Sequence, residues 1–321
     1  MSSHDQEPQM KRSSTHFVAP LEETPLAVID AVKVDEKPSN LWTDAWAYMR
    51  RQPMFWISAV LIVLVVVVSL LPGLFSHVDP RSCNLDNSLG DPSLAHPLGF
   101  TKQGCDIYSR VIFGANTSLA VGLIVTAIVC VLGISFGALS GFYGGWVDSV
   151  LSRIGDIFFS IPYILAAVVV MSALAAYRSV WTISLAVGLF VWPSVARVLR
   201  AEVLRVKNAD YVQASIALGV SRFRILVRHV LPNSIAPVIV VITLSLASAI
   251  VAEATLSFLG VGLGSESISW GADISQAQRD LRTAPQVLIY PSIALSLTVL
   301  SFIMLGEVLR DALDPKARAL R

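Results

Sequence analysis

Residues 211–233, Tyr-Val-Gln-Ala-Ser-Ile-Ala-Leu-Gly-Val-Ser-Arg-Phe-Arg-Ile-Leu-Val-Arg-His-Val-Leu-Pro-Asn, form a basic, amphipathic stretch between two long apolar runs. Such a segment does not stay in hydrocarbon, so it faces water beside a membrane. Its patterning exceeds that of a linker. Val212, Ile216 and Leu218 share a face at helical spacing, and Gly219 interrupts the helix. Phe223, Ile225, Leu226 and Val230 continue the apolar stripe. The pattern predicts two short helices around a glycine hinge, set on the membrane surface and built to dock.

Composition agrees with a membrane setting. Of 321 residues, 54% are hydrophobic and 15% charged, with mean hydropathy +0.66; soluble domains carry about 25% charged residues. The net charge of +1 says nothing about nucleic acid, and no nucleic-acid partner is expected. Residues 1–40 are polar and poor in aromatics, which predicts a disordered cytoplasmic tail. The first apolar run begins near Met54, too far from the N-terminus for a cleaved secretory signal, and is expected to stay as a signal-anchor.

About 20 apolar residues cross a bilayer. Six stretches approach that length: 54–75, 117–139, 157–176, 180–198, 235–258 and 287–308. Arg50 and Arg51 precede the first, and Arg310, Lys316, Arg318 and Arg321 follow the sixth. Arg197, Arg200, Arg205, Lys207, Arg222, Arg224 and Arg228 fill the loop after the fourth. With six spans these basic groups share one side, which the positive-inside rule makes cytoplasmic along with both termini. The expected organisation is a tail over 1–40, a first helix and external loop over 41–116, a core over 117–310 with a cytoplasmic loop at 199–234, and a second tail over 311–321.

The third and fourth stretches are separated by Ala176-Tyr177-Arg178-Ser179 alone, so they read as a tight external hairpin or as a re-entrant pair. Pro162, Pro193 and Pro291 lie in or near spans, where neighbouring helices or water must satisfy the freed backbone groups. Gly133, Gly137, Gly141 and Gly145 recur every four residues and predict a ridge that another helix approaches closely.

Two rival chemistries fare worse. Gly133-Ile134-Ser135-Phe136-Gly137 matches the G-x-S-x-G pattern of serine hydrolases, but that chemistry needs a histidine base. His4, His16, His77, His96 and His229 all lie outside the apolar stretches. An ion-coupled secondary transporter needs ionisable groups near mid-membrane. Asp156, Glu253 and Glu307 fall near span ends, where water or headgroups are expected to solvate them. No H-E-x-x-H, C-x-x-C or G-x-x-x-x-G-K-[ST] motif occurs, so no resident metal or nucleotide is expected. If ATP drives this protein, another chain binds it.

The docking stretch resembles the EAA loop of ABC importer permeases: Glu-Ala-Ala, three residues, Gly, nine residues, an apolar residue, one more, then Leu-Pro. Here the pattern falls on Gln213-Ala214-Ser215, Gly219, His229, Leu231 and Pro232. Gln213, Ser215 and His229 depart from it in identity, and the spacing is met throughout. Asp210-Tyr211 and the run Arg228 to Asn233 are similar to the oligopeptide/dipeptide branch, and to its C-type subunit. Further stretches resemble that subunit from His96 onward. They are His96-Pro97-Leu98-Gly99, the turn Gly141 to Asp148, Ala252 to Gly260, Ser269-Trp270-Gly271, and Leu309 to Pro315.

The resemblance implies an all-α, six-helix type I importer permease in the bacterial inner membrane, itself without catalysis. A second homologous permease would complete the pore as a heterodimer. Two ATP-binding subunits would dock below, and an extracytoplasmic substrate-binding protein would deliver the solute. Gln213, Ala214, Ser215, Gly219, Arg222, Arg224, His229, Leu231 and Pro232 would couple the pore to ATP hydrolysis. Asp91, Asp273, Arg279 and Asp280 are candidates for contact with the binding protein. Oligopeptides or dipeptides are the expected cargo; nickel, glutathione and other small solutes use similar permeases. One departure concerns cysteine. Where the family reads Leu-Gly-Arg-Asp, this chain has Gln103-Gly104-Cys105-Asp106, and Cys83 shares that external loop. A Cys83–Cys105 disulfide is therefore expected in an oxidising compartment.

Overall fold

A computed structural model describes residues 41–264 and 267–314. The tail over 1–40 and residues 315–321 lie outside the described residues. Helix α1 spans Leu41–Met49, and Pro53, which needs no amide partner in a first turn, starts α2 (Pro53–Leu70). A loop over residues 71–106 follows. Helix α3 (Ile107–Tyr143) begins where Asp106 accepts a hydrogen bond from the Ser109 amide at 2.8 Å. Its 37 residues make a rod of about 55 Å, far longer than the hydrocarbon core. The apolar stretch 117–139 is thus the membrane section of a helix that projects beyond it.

The next element departs from the expectation of one span over 157–176. Helix α4 (Gly145–Ser160) and helix α5 (Tyr163–Ala173) meet at an 80° bend. The cause is local. A residue before proline is pushed out of helical geometry, and Ile161, before Pro162, is extended at φ −97°, ψ 123°. Helix α6 runs Val180–Val206, so Arg197, Arg200 and Arg205 lie on a helix and not in a loop. Helices α7 (Asp210–Ala217), α8 (Arg222–Ile225) and α9 (Leu231–Ser234) form the docking segment. Helix α10 (Ala236–Phe258), the short α11 (Trp270–Ala277) and α12 (Gln286–Leu313) complete the chain. Among the described residues five helices are long and apolar enough to cross a membrane, or six if the bent pair is one span.

Helices α3 and α6 form the spine. Val121, Val125 and Val129 of α3 and Ile183, Val187, Val195, Leu199 and Val203 of α6 are buried in one cluster. Their approach is set by glycine. A Cβ on Gly133 would lie 2.7 Å from Val195 Cβ, on Gly137 2.6 Å from the Ala196 carbonyl, and on Gly141 2.8 Å from Val203 Cγ1. A helix as near as this tolerates no side chain at those positions. Gly145 does not belong to the ridge. It follows the break at Gly144, begins α4 with φ +52°, and has nothing within 4 Å of its Cβ direction. Helices α10 and α12 pack beside this spine. Helix α2 lies outermost, with Ile57, Val60, Val63 and Leu64 exposed along its length, as a lipid-facing helix requires.

Candidate functional site

The docking segment is a braced elbow. Helix α7 ends in a double turn in which Gly219 N–H donates to the Ile216 carbonyl (3.0 Å) and Val220 N–H to the Ser215 carbonyl (3.2 Å). That closure requires a left-handed residue, and Gly219 has φ +77°. After α8, Leu226–Val230 widen into a single π turn. Pro232 has no amide hydrogen, and its ring would meet the carbonyl four residues back; the wider turn accommodates both.

The apolar stripe splits in two. Val212, Ile225, Leu226 and Val230 are buried against the α6 end, beside Val203 and Val206. Leu218 and Phe223 are 84% and 67% exposed, and Tyr211, Ile216 and Val227 are exposed with them. Arg222, Arg224 and Arg228 stand on the same outer surface and form no ion pair among the described residues. One half of the stripe therefore anchors the elbow, and the other half stays exposed beside Arg222, Arg224 and Arg228.

The expected coupling residues divide accordingly. Gln213 Nε2 donates to the Lys207 carbonyl (3.0 Å), and Ser215 Oγ to the Tyr211 carbonyl (2.8 Å). Ala214 and Pro232 are exposed, while His229 and Leu231 are half-buried. Asn233 Nδ2 closes on the His229 carbonyl at 2.6 Å. A groove of about 300 Å³ between Phe142, Tyr143, Lys207, Gln213, Ile216 and Arg222 separates the elbow from the α3 end.

The end of α6, on which the elbow rests, is tied to α3 and α4 by charged side chains. Lys207 Nζ donates to the Gly141 carbonyl (2.7 Å), fixing the end of α6 to the end of α3. Arg200 grips Asp148 of α4 with two hydrogen bonds of 2.6 and 2.7 Å. Arg197 pairs with Asp156 at 2.9 Å and stacks 3.7 Å over the Phe159 ring.

Those helices line a cavity of about 440 Å³ at the α4–α5 break. Its walls are apolar, from Val125, Phe159, Phe190 and Leu244, with Tyr163, Ser194, Ser245 and Ser248 as polar points. No pattern in the sequence singles out these residues. They come from five helices, α3, α4, α5, α6 and α10, and the one local signal was Pro162.

On the other side, α11 is pinned without slack. Ser269 caps it, accepting from the Ala272 amide (3.1 Å) and donating to Glu253 Oε1 of α10 (2.9 Å). Ser257 and Ser118 supply two more hydroxyls to the same carboxylate, at 3.0 and 3.4 Å. Glu253 is fully buried, unlike Asp156 and Glu307, whose side chains are half exposed. The expectation of a solvated Glu253 is thus corrected. The hydroxyls come from α3, α10 and the α11 cap, so tertiary packing replaces water.

Trp270 Nε1 donates to the Val111 carbonyl (2.8 Å), and Arg110 Nε to Asp273 Oδ1 (2.9 Å). Burial pushes the Asp273 carboxyl up, while the Arg110 guanidinium pulls it down. Lys102 pairs with Asp280 at 2.9 Å. Asp273 and Asp280 are therefore internal struts and do not offer free surface charge; Asp91 and Arg279 are exposed.

A disulfide joins Cys83 to Cys105, with Cα atoms 4.1 Å apart. It closes the loop before α3 next to Asp106, which caps α3 and also pairs with His96 Nδ1 at 3.0 Å.

Comparison with known proteins matches this architecture. Residues 133–319 fit the family described as binding-protein-dependent transport system inner membrane component, and residues 40–97 fit the N-terminal transmembrane domain of oligopeptide transport permease C. The oligopeptide transport system permease protein OppC of Bacillus subtilis is 35% identical over 289 residues, which cover 90% of this chain and 94% of the relative. The glutathione transport system permease protein GsiD of Escherichia coli O157:H7 is 36% identical over 296 residues, 91% and 97% of the two chains. A solved structure of the inward-facing MetNI methionine ABC transporter matches with TM-score 0.53 at 20% identity, covering 63% of this chain and 96% of that one, and so shares the fold. The chain belongs to the family of binding-protein-dependent transport system inner membrane components, as a multi-pass ABC importer permease of the oligopeptide permease C type.

Proposed function

We propose that this chain forms one half of the translocation pathway of an ATP-driven importer of oligopeptides or dipeptides. The observation that carries the reading is the elbow, which anchors on α6 and still presents Leu218, Phe223, Arg222 and Arg224 outward. The cargo is supported by relatives named for oligopeptide and for glutathione, itself a short peptide. Glutathione is therefore the second cargo reading.

In this mechanism ATP and Mg²⁺ bind to two partner ATPase subunits, and this chain contributes no catalysis. Their closure loads the elbow, and α6 with α4 moves around the cavity. A second, homologous permease covers the open side of the cavity as the other half of a heterodimer. An extracytoplasmic binding protein delivers peptide to the face that carries α11 and the disulfide loop. The distribution of Lys and Arg supports placing the elbow and both termini in the cytoplasm of a bacterial inner membrane.

The test is Leu218→Asp combined with Phe223→Asp. Both positions are exposed, so the variant is expected to insert and fold. It should lose co-purification of the ATPase subunits and uptake of a labelled tripeptide in reconstituted vesicles. Retention of both would refute the coupling role.

A further inference from the structure

Helix α1 has two faces. Ala45 is buried, and Tyr48 and Met49 pack with it against Val240, Leu309, Ala312 and Leu313 at the elbow side of α10 and α12. The opposite face carries Trp42 and Trp46, 47% and 51% exposed, one helical turn apart. Arg50 extends the same row, and Arg51 follows it. The aromatic row continues into α2. Trp46 meets Phe55 edge-on at 5.7 Å, Phe55 meets Trp56 at 5.4 Å, and Trp56 Nε1 donates to the Arg50 carbonyl at 3.0 Å. Trp56, 53% exposed, begins the lipid-facing flank of α2. Arg50 and Arg51 form no ion pair among the described residues, and Asp44 is the acidic side chain of α1.

We propose that the outer face of α1 and the turn after it form an anionic-lipid site, in which Trp42, Trp46 and Trp56 lie at headgroup depth and Arg50 and Arg51 hold phospholipid phosphate on the elbow side of the membrane. Three arguments choose lipid as the occupant. The face is continuous with the apolar flank of α2, which meets acyl chains. Tryptophan, apolar in body with one N–H, partitions to the membrane–water boundary. Two adjacent cations match anionic headgroups, each contributing about fivefold in membrane preference. The site fixes α1, and through Ala45 the ends of α10 and α12, to the bilayer surface.

The test uses the full chain in nanodiscs, with bromine on the acyl chains of either phosphatidylglycerol or phosphatidylcholine at equal mole fraction. The fluorescence of Trp42 and Trp46 is obtained by difference against Trp42→Phe/Trp46→Phe. Brominated phosphatidylglycerol should quench that component more strongly than brominated phosphatidylcholine. Arg50→Gln/Arg51→Gln should reduce the preference by roughly 25-fold, and Arg50→Lys/Arg51→Lys should restore most of it.

Equal quenching by both lipids in the unmodified chain would overturn the headgroup site. Competition by inorganic phosphate would assign the arginines to a free anion instead. No quenching by either lipid, in the isolated chain or after assembly with its partners, would assign the face to water or to protein.

Discussion

Ser269 Oγ sits 2.9 Å from Glu253 Oε1 while also accepting from the Ala272 amide. One hydroxyl therefore both starts helix α11 and fastens it to a fully buried carboxylate on α10. A buried carboxylate in a membrane protein is by default a candidate ion or proton site. Here it accepts hydrogen bonds from three serine hydroxyls in separate parts of the chain, and its consequence is structural.

Glu253→Ala should leave the three hydroxyls without their acceptor, at about 2 kcal/mol for the buried polar deficit alone. Hydrogen exchange across Trp270–Ala277 should accelerate. Glu253→Gln keeps one acceptor oxygen and should slow that exchange again. Unchanged exchange in Glu253→Ala would refute the clasp.

Gly137→Ala places a Cβ 2.6 Å from the Ala196 carbonyl and 3.0 Å from Leu199 Cβ. Overpacking of this kind costs about 1–3 kcal/mol. Thermal unfolding in detergent should shift downward by several degrees. Gly145→Asn, at a left-handed position with open space, should remain near the starting value.

Gly219→Val should abolish ATP-dependent uptake while the chain stays in the membrane. A β-branched residue cannot hold φ +77° without strain of about 1–2 kcal/mol, so the elbow would open. Gly219→Asn enters the left-handed region more readily and should keep part of the uptake. Equal activity of both variants would sever the link between this turn and coupling.

Cys83→Ser should release a loop with a sequence separation of 22 residues. Loss of that closure is worth roughly 3 kcal/mol in the chain-entropy model. Limited proteolysis between Cys83 and Cys105 should become faster, with the membrane helices left intact. Dithiothreitol should produce the same cleavage in the unmodified chain.

Several features were legible because they depend on neighbours in sequence. The spacing from Gln213 to Pro232 identified the elbow, and the Gly133–Gly137–Gly141 period identified the close helix contact. Gly145 extended the period on paper, but Gly144 ends α3 before it. Pro162 was visible as a helix irregularity. Its 80° consequence was not, because 157–176 is apolar enough to read as one rod.

The elbow shows the same division. Periodicity grouped Val212, Leu218, Phe223 and Ile225 as one apolar stripe. Packing against α6 buried Val212 and Ile225 and left Leu218 and Phe223 exposed. Asp273 and Asp280 read as surface charges because their partners, Arg110 and Lys102, stand 163 and 178 residues earlier.

By itself the sequence determined the solvent of each segment, since hydrophobic run length and charge position are local properties that a bilayer reads directly. It also determined the family, through spaced motifs over most of the chain. Only the tertiary structure decided which half of an amphipathic stripe is covered, which carboxylate is buried, and which side chains from five helices share the cavity. Those outcomes depend on pairs of residues far apart in sequence, whose burial is fixed by which helices glycine allows to meet.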